Sequence, residues 1–474
     1  MIPRIFFMQL RDYQQDLLSR VYQEYRKGHQ RVMAQMPTGS GKSVVFAKVC
    51  QDGHANDRKV LVLAHREELV KQAANHISKA IGAEVGIIKA GIEPDYSRSV
   101  QVASVQSIVN RFDRCESFDL IITDEVHHAI ASQYQQIYNQ YPTAKQLGVT
   151  ATPIRLNGKG FADIFDAMVC GPTCQQLIDM GHLSKFKLFA APQMKFENVG
   201  KTAGEYSQSD ITAQNDPSEL AGDIVSSYRR YADGTQCLVF ATSVQHSIAI
   251  AQAYNAAGIK AIHLDGTTAS VIREQALIDF TAKRIQVVSN CALFGEGLDI
   301  PALETVQIAR RTASVSLHLQ MLGRVLRVAK GKSYAIIIDH TDNWQRLGLP
   351  TKPRNWSLVG AKDGAEKLER DDDGEVREVK KASEPVDSIP SHIDLLLEEI
   401  KTPTTEAEMW EYEFQQLVII MHQKGYKRGW LTYKVGEMRP PLSIWKMLGK
   451  QNSYHHRWAT RMHDQQLNNQ LELV

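Results

Sequence analysis

A glycine-rich loop between a predicted strand and a predicted helix constrains this chain more than any other part of its sequence. The loop, MPTGSGKS, occupies residues 36–43, after a strand predicted at 31–36 and before a helix that opens at about Lys42. Gly39 and Gly41 let the backbone fold around a phosphate, because a side chain at either position would be in the way. The helix N-terminus adds amide donors and a partial positive charge. The plain alternative is a Gly/Ser turn that only caps the helix.

This loop predicts a site for ATP and Mg²⁺. Lys42 can reach the β- and γ-phosphates of a nucleotide, and the hydroxyl of Ser43 can hold the metal ion. We expect six consecutive loop residues to bind the nucleotide: Thr38, Gly39, Ser40, Gly41, Lys42 and Ser43.

Short apolar runs alternate with amphipathic helical segments through most of the chain. The runs at 58–66, 99–104, 118–123 and 144–152 are rich in Val, Ile and Leu without strict alternation. That composition is expected for strands of a parallel sheet that is covered on both faces. The same pattern restarts after about residue 230. The sequence therefore predicts an α/β protein with two such domains in tandem, built with right-handed crossovers.

Acidic and histidine residues follow one of these strands, in the stretch DLIITDEVHHAI at 119–130. They lie at the carboxyl end of a buried strand, where an open parallel sheet binds its ligands. Asp124 then fits the acid linked to Mg²⁺, and Glu125 fits the residue that orients or deprotonates the attacking water. A histidine-ligated transition metal is disfavoured, because adjacent side chains on a strand end point to different sides. We expect His127 to hydrogen-bond to another motif and leave the role of His128 open.

These motifs, in this order and spacing, resemble those of superfamily 2 helicases and translocases. MPTGSGKS, TDEVHH and TAT (150–152) are similar to motifs I, II and III of that family. LRDYQ (10–14) resembles the upstream motif that reads adenine, which implies Gln14 as the base contact. The segments LAHREELV and ASVQSI resemble motifs that touch the nucleic-acid backbone, which implies four further contacts: His65, Arg66, Ser104 and Gln106.

The second α/β domain carries segments that resemble the remaining motifs. LFGEGLDIP (293–301) is similar to motif V, which implies nucleotide contacts from Gly297 and Asp299. IHLDGTT resembles the strand and turn that follow motif IV, where Thr267 or Thr268 could contact a phosphate of the nucleic acid.

QMLGRVLR at 320–327 resembles motif VI. Arg324 and Arg327 are three residues apart, so on a helix they share one face, and Gln320 one turn earlier would share it too. A guanidinium aimed across a cleft can stabilise charge on the transferring phosphate, worth roughly 10³–10⁵ in rate in related enzymes. The alternative is a basic surface stripe on an amphipathic helix.

The motif variants indicate DNA rather than RNA. DEVH, TAT and a glutamine-led motif VI are more similar to the DNA-directed branch than to the RNA-dedicated DEAD-box branch. Over roughly residues 8–345 the resemblance is greatest to the RadD-like DEXH family, which implies two RecA-like domains and work in DNA repair, recombination or replication. Relatives often carry zinc-binding cysteines after the motor. This chain has no cysteine after Cys291, so a role placed on that zinc region does not transfer.

The chain divides into four predicted segments: RecA-like domain 1 (1–171), RecA-like domain 2 (172–350), a charged linker (351–404) and a small, mainly α-helical accessory domain (405–474). The accessory segment mixes aromatic and basic residues, which can grip a single strand by stacking and by pairing with phosphates. Its aromatics could instead form the core of a small helical domain. The basic turn around Lys427 and Arg428 predicts a nucleic-acid contact, and the segment could also recruit a protein partner.

Composition and charge limit the possible partners and cellular compartment of the protein. The net charge of +2 gives no overall basic excess, so DNA would be held by local patches. Six scattered cysteines fit a reducing compartment, and the single CxxxC, without a second pair, does not supply the four ligands of a zinc site. The sequence contains no run of about 18 apolar residues, so no membrane span is predicted. We expect a cytoplasmic monomer.

The sequence leaves more than one hypothesis of function. The first is an ATP-dependent DNA helicase or translocase. The second is an ATP-gated clamp or remodeller that grips branched DNA without separating its strands. The motor motifs are common to both, and no strand-separating hairpin can be identified from the sequence. A restriction motor subunit is a third possibility, weakened because no nuclease motif or long specificity region accompanies the motor.

Overall fold

The described residues form two large sheets with helices on their faces, followed by a helical C-terminal region. The computed structural model describes residues 9–64, 67–128, 132–155, 159–190, 201–202, 205–206, 217–294, 303–359, 397–400, 402–424, 431, 434–435, 438 and 442–451. This architecture confirms the predicted fold class of two tandem RecA-like α/β domains with a mainly helical C-terminal part. None of the described helices is long and apolar enough to cross a membrane.

The first domain alternates strands and helices along the chain. Its elements are α1 (Asp12–Arg26), β1 (Arg31–Gln35), α2 (Lys42–Ala55), β2 (Val60–Ala64), α3 (Glu67–Ile81), β3 (Gly86–Ile88), β4 (Val100–Ser104), α4 (Val105–Val109), β5 (Leu120–Asp124), α5 (Ser132–Gln140), β6 (Lys145–Thr150) and β7 (Ala167–Cys170), with short 3-10 turns at Phe112–Arg114 and Val126–His128. The sheet order is β3-β4-β2-β5-β6-β1-β7, and all of its strand pairs are parallel.

The strands of this sheet are buried on both faces, as their apolar composition predicted. In β2, Leu61 and Leu63 join one hydrophobic cluster, whereas Val62 between them joins another. Successive side chains of a strand point to opposite faces, so both faces of the sheet are covered. That explains why the runs lack a strict polar alternation.

The strand register brings the motif-bearing loops to one edge of the sheet. Gln35 at the end of β1 is paired with Thr150 at the end of β6, and Asp124 at the end of β5 is paired with Val149. The phosphate loop, the DEVH segment and the TAT segment therefore start at the same level, at neighbouring carboxyl ends.

The second domain repeats this plan. Its elements are α6 (Cys174–Asp179), β8 (Phe186–Ala190), the ribbon strands β9 (Lys201–Thr202) and β10 (Glu205–Tyr206), α7 (Pro217–Tyr231), β11 (Cys237–Ala241), α8 (Val244–Ala256), β12 (Ala261–Leu264), α9 (Ser270–Thr281), β13 (Val287–Asn290), β14 (Thr305–Ala309), α10 (Val315–Gly323), β15 (Ala335–Asp339), α11 (Asn343–Leu347) and β16 (Glu398–Ile400). The sheet order is β12-β13-β11-β14-β15-β8-β16. Among the described strands of this sheet, the edge strand β16 is the one that runs antiparallel to its neighbour, and the ribbon strands β9 and β10 pair antiparallel with each other.

The two ends of the predicted linker (351–404) are structured, which differs from the sequence-based expectation. Strand β16 pairs with β8 although its three residues lie in a charged stretch. At the other end, the carbonyl of Leu358 accepts hydrogen bonds from the backbone N–H groups of Phe161 (2.6 Å) and Ala162 (2.9 Å). Leu358 also packs on the core of the first domain. The chain thus crosses back to that domain after leaving the second sheet.

The C-terminal region contributes α12 (Glu406–Lys424) and α13 (Leu442–Gln451). Trp410 and Trp445 are buried in one hydrophobic cluster there, which supports the core interpretation for these two aromatics. Lys352 forms an ion pair with the buried Glu413 of α12 at 3.0 Å, and Gln175 Nε2 donates to the carbonyl of Thr404 at 3.2 Å. Helix α12 is therefore docked on the motor domains.

Candidate active site

The loop after β1 has the backbone conformation that a phosphate cradle requires. Gly39 and Gly41 have φ of 85° and 86°, a region in which an L side chain is strained. Helix α2 begins at Lys42 with Gly41 as its N-cap. A Cβ atom added to Gly41 would lie 2.5 Å from Nε2 of Gln14. The loop and the start of α1 therefore fit together with room only for glycine.

A series of polar contacts runs along the sheet edge from this loop. Nζ of Lys42 lies 3.1 Å from Oε1 of Glu125, and Oε2 of Glu125 lies 3.4 Å from Nδ1 of His127. The same nitrogen is 3.2 Å from Oγ1 of Thr150. His127 thus joins the DEVH motif to the TAT motif, which is the cross-motif hydrogen bond that the sequence predicted.

Glu125 is held in an uncommon backbone conformation. Its φ of 46° lies in the left-handed region, and its N–H donates to Oδ1 of Asp124 at 2.9 Å. Such conformations cost on the order of 1–3 kcal/mol and cluster at active sites. The strained turn after β5 places the carboxylate of Glu125 beside Lys42.

Thr152 connects these polar contacts to the second domain. Its N–H donates to Oγ1 of Thr150 at 3.1 Å, and its own Oγ1 lies 2.6 Å from Oγ of Ser316. Ser316 belongs to α10, the helix of motif VI. The TAT segment of one domain therefore contacts the motif VI helix of the other directly, through two hydroxyl groups.

The two arginines of motif VI do not share one helix face, and this part of the sequence prediction is wrong. Helix α10 ends one residue before Arg324, which is its C-cap. Arg327 instead pairs with Leu183 in an isolated antiparallel bridge, and the carbonyl of Leu326 accepts the N–H of Ser184 at 2.7 Å. This pairing with the segment that joins the two domains draws the chain out of the helix.

The end of α10 packs directly on the phosphate loop. A Cβ added to Gly323 would lie 2.4 Å from Cβ of Thr38, and one added to Gly39 would lie 3.5 Å from Cγ of Arg327. Arg324 and Gln320 are both buried. Predicted residues from both domains therefore meet at this loop.

Lys332 fixes the backbone that follows α10. Its Nζ donates to the carbonyls of Leu303 (2.7 Å), Arg327 (2.9 Å) and Val325. Burial lowers the pKa of Lys332 to about 8, and the nearby Arg327 charge acts in the same direction. Three carbonyl acceptors suit an ammonium, which has three donors and no acceptor. No pattern in the sequence indicates this contact.

Gln14 contacts the phosphate loop itself. Its Oε1 accepts the N–H of Arg11 at 3.0 Å, and its Nε2 donates to the carbonyl of Ser40 at 3.2 Å. The neighbouring Tyr13 donates its hydroxyl to the same carbonyl at 2.6 Å, a contact that motif reasoning missed. The contact between Gln14 and an adenine base stays a prediction.

Two of the predicted nucleic-acid contacts are placed unfavourably. Ser104 is 0% exposed at the end of β4, directly before α4, so its side chain cannot reach a nucleic-acid strand in this conformation. Gln106, two residues later, is exposed. Thr267 is exposed as well, yet its N–H and its hydroxyl both donate to Oδ1 of Asp265, at 2.9 and 2.8 Å. The hydroxyl proton of Thr267 is therefore not directed at a phosphate.

The remaining predicted contacts fall outside the described residues. They are His65, Arg66, Gly297, Asp299, Lys427 and Arg428. The side chain of His128, for which no role is predicted, lies outside the described residues as well.

The side chains predicted to hold Mg²⁺ offer the hard oxygen donors that this ion prefers. Ser43 is exposed in the first turn of α2, and Asp124 is partly exposed at the end of β5. In the ranges that the structure describes, no group of three or more His, Cys, Asp or Glu could hold a metal ion by itself. Mg²⁺ commonly binds through one or two protein ligands together with substrate phosphates, so the residues present fit it.

Comparison with family models assigns both halves of the site. Residues 7–155 match the family "Type III restriction enzyme, res subunit", and residues 220–329 match "Helicase conserved C-terminal domain". The phosphate loop, the DEVH segment and the TAT segment lie in the first match, and the whole of motif VI lies in the second.

Two individual relatives match 68% and 74% of this chain. A 51.5 kDa protein of Lactococcus phage (isolate 7-9) is 35% identical over 324 residues, 68% of each chain. A Schizosaccharomyces pombe protein named as a mitochondrial ATP-dependent helicase, irc3, is 30% identical over 371 residues, which are 74% of this chain and 60% of that protein. The chain thus spans less than two thirds of the length of the yeast relative.

Solved structures share the fold. A Vibrio vulnificus fragment described as an HsdR subunit of a type I restriction enzyme superimposes with a TM-score of 0.57 at 22% identity, over 71% of this chain and 65% of that one. The type ISP restriction-modification enzyme LlaBIII bound to DNA gives 0.53 at 20% identity, over 70% of this chain and 27% of that one.

Proposed function

The chain belongs to the superfamily 2 helicases and translocases, and on that premise we propose that it couples ATP hydrolysis, in the cleft between its RecA-like domains, to movement along DNA. One observation carries the proposal. Contacts lead from Lys42 through Glu125 and His127 to the TAT motif, and from there to Ser316 of the second domain. A change at the γ-phosphate therefore has a physical route to the position of the second domain.

The first domain would bind and activate the nucleotide. Lys42 would neutralise the β- and γ-phosphates, and Ser43 and Asp124 would hold Mg²⁺, which when bound neutralises charge on the phosphate oxygens. Glu125 would orient the attacking water and accept its proton. Phosphoryl transfer depends mostly on positioning and charge neutralisation, and the contact between Glu125 and His127 supports a fixed position for the carboxylate.

The second domain would complete the site. Arg327 beside Gly39, and Arg324 at the end of α10, would bring guanidinium charge to the transferring phosphate, which is worth roughly 10³–10⁵ in rate in related enzymes. ATP contacted by both domains favours the closed cleft, and hydrolysis removes that bridge. The equilibrium shifts only by the difference in affinity of ATP and ADP for the closed form. If each domain grips the strand backbone, alternate opening and closing moves the protein along it.

DNA is the proposed track, and repair, recombination or replication the proposed setting. The DEVH, TAT and glutamine-led motif VI variants resemble the DNA-directed branch, and the similarly folded LlaBIII was solved bound to DNA. The exposed Gln106 is the described residue best placed among the predicted strand contacts. The RadD-like resemblance supports the setting.

A triplex-displacement assay separates movement from gripping. The wild-type protein with ATP is expected to displace a third strand from a DNA triplex, and Glu125→Gln is expected not to. Displacement without unwinding of a forked duplex identifies a translocase, and displacement with unwinding identifies a helicase. ATP-dependent DNA binding without displacement of any strand would contradict movement and would favour the ATP-gated clamp.

A further inference from the structure

Tyr13 lies in the first turn of α1, directly against the phosphate loop. It is buried, as is Ser40, and its hydroxyl donates to the carbonyl of Ser40 at 2.6 Å. We infer that Tyr13 is a positioning residue for nucleotide binding: it holds the Ser40–Gly41 peptide in the orientation that turns the Gly41 N–H toward the phosphates. The inference rests on the proposed function, since it deepens the role of the same ATP site.

The geometry of the peptide unit carries this inference. In a trans peptide the C=O and the following N–H point in opposite directions in one plane. When Tyr13 draws the Ser40 carbonyl toward α1, the N–H of Gly41 faces away from α1. Gly41 is also the N-cap of α2, where exposed amide donors and the helix dipole favour an anion. The Tyr13 hydroxyl therefore contributes to the direction of a phosphate donor.

Gln14 supplies a second donor to the same carbonyl, at 3.2 Å. A carbonyl oxygen has two lone pairs and can accept both hydrogen bonds. The positive φ of Gly41 permits the peptide orientation, and the missing Cβ leaves space for the Gln14 amide. Two adjacent residues of α1 thus donate to one peptide of the loop.

The ring of Tyr13 is also contacted by a residue of the segment that joins the two domains. It packs on the imidazole of His182, with ring centroids 5.1 Å apart. His182 precedes Leu183, whose Cδ2 lies 3.1 Å from the Cβ position of Gly39 and whose backbone pairs with Arg327. The residues that pack against the phosphate loop and Tyr13 therefore include the segment that joins the two domains.

This arrangement predicts a loss of affinity that does not depend on the base. Tyr13→Phe removes one donor and keeps the ring, so the dissociation constants for ATP, GTP and ADP should all rise by the same factor, roughly two- to tenfold. With saturating DNA, KM for ATP should rise while kcat stays within twofold of the wild-type value. Tyr22→Phe is the matched control, because Tyr22 lies on the same helix and donates to Asp52 at 3.0 Å, away from the loop.

The test is equilibrium competition of ATP, GTP and ADP against a fluorescent ADP without DNA, with thermal unfolding of each variant. A uniform loss in Tyr13→Phe, absent in Tyr22→Phe, supports the inference. Unchanged dissociation constants, or a loss confined to adenine nucleotides, would overturn it. If Tyr13→Phe unfolds at a lower temperature, the three dissociation constants are measured again at a temperature at which both proteins are fully folded, with a uniform loss again expected. Binding by the wild-type protein without DNA-stimulated hydrolysis would refute the proposed function while leaving these constants to decide the inference.

Discussion

Nζ of Lys42 and Oε1 of Glu125 lie 3.1 Å apart, and both side chains are largely shielded from solvent, at 10% and 15% exposure. Lys42, which is expected to bind the phosphates, is thus paired with Glu125, which is expected to act on the attacking water. A bound γ-phosphate would compete for the ammonium and release Glu125 to the water. The ion pair therefore links occupation of the phosphate loop to availability of the base.

Glu125→Gln should separate nucleotide binding from hydrolysis. The substitution keeps the shape of the side chain but removes the proton acceptor, so kcat should fall by roughly 10²–10⁴ while ATP affinity is retained. Steady-state hydrolysis and equilibrium binding on the same preparation measure the two quantities. Glu84→Gln, at an exposed ion pair with Arg98, should change neither. Full hydrolysis in Glu125→Gln would refute the assignment of the base.

The hydroxyl pair of Thr152 and Ser316 should act as one unit. Ser316→Ala and Thr152→Val each remove the 2.6 Å contact, and each should lower DNA-stimulated turnover by roughly two- to tenfold. The turnover of the double variant should be no lower than that of the more impaired single variant. The losses should not add, because both substitutions remove the same interaction. Ser78→Ala removes a comparable hydroxyl contact, to the carbonyl of Ala83, as a control far from the cleft. Independent, additive losses would argue against coupling through this pair.

Arg324→Ala and Arg327→Ala should lower turnover more than ATP affinity. The guanidinium charge would matter most when charge develops on the transferring phosphate, so a loss approaching roughly 10³ in kcat is expected with a smaller change in the dissociation constant. Arg284→Ala, at an exposed ion pair with Asp279 in the second domain, should be close to wild type. Weaker ATP binding with unchanged kcat would reverse the expected pattern and contradict the finger role.

Buried histidines should make the second domain sensitive to acid. Burial lowers the pKa of His246 to about 4 and of His318 and His340 to about 3. Between those values and about 6.5 the unfolded chain binds protons that the folded chain does not, so the free energy of unfolding falls as pH falls through this window. At pH 5 each of these histidines lowers the free energy of unfolding by on the order of 2 kcal/mol.

His318 offers the sharpest test of that dependence. Its Nε2 contacts the carbonyl of Gly348 at 3.0 Å, and its Nδ1 is buried without a hydrogen-bond partner among the described residues. His318→Gln should reduce the loss of unfolding free energy between pH 7.5 and pH 5, as measured in urea. The more exposed His29 provides the control His29→Gln. Equal pH dependence in wild type and His318→Gln would show that this imidazole does not set the acid response.

The sequence predicted the parts of the site that depend on local pattern. A glycine-rich loop between a strand and a helix, and acids at a strand end, each follow from a few neighbouring residues, and the parallel register then aligns them. Lys42, Glu125 and His127 could therefore be assigned before their distances were known. The strands were recognisable because both faces are apolar.

The remaining contacts depend on how distant segments meet. The bond between Thr152 and Ser316 joins residues 164 positions apart, and nothing in either motif specifies it. Helix α10 stops early because its continuation pairs with Leu183, which periodicity cannot predict. Ser104 fits its motif but is buried at the junction of β4 and α4. A three-residue edge strand such as β16 is too short to show a pattern.

The most direct test of the account is steady-state ATP hydrolysis measured at fixed salt with no nucleic acid, single-stranded DNA, duplex DNA, branched DNA and RNA, with Glu125→Gln as the blank. Salt must be constant, because phosphate contacts weaken as ionic strength rises. The account predicts strong stimulation by one or more of the DNA structures, little by RNA, and no activity in the blank. Stimulation by RNA alone, or a high turnover that no nucleic acid changes, would contradict it.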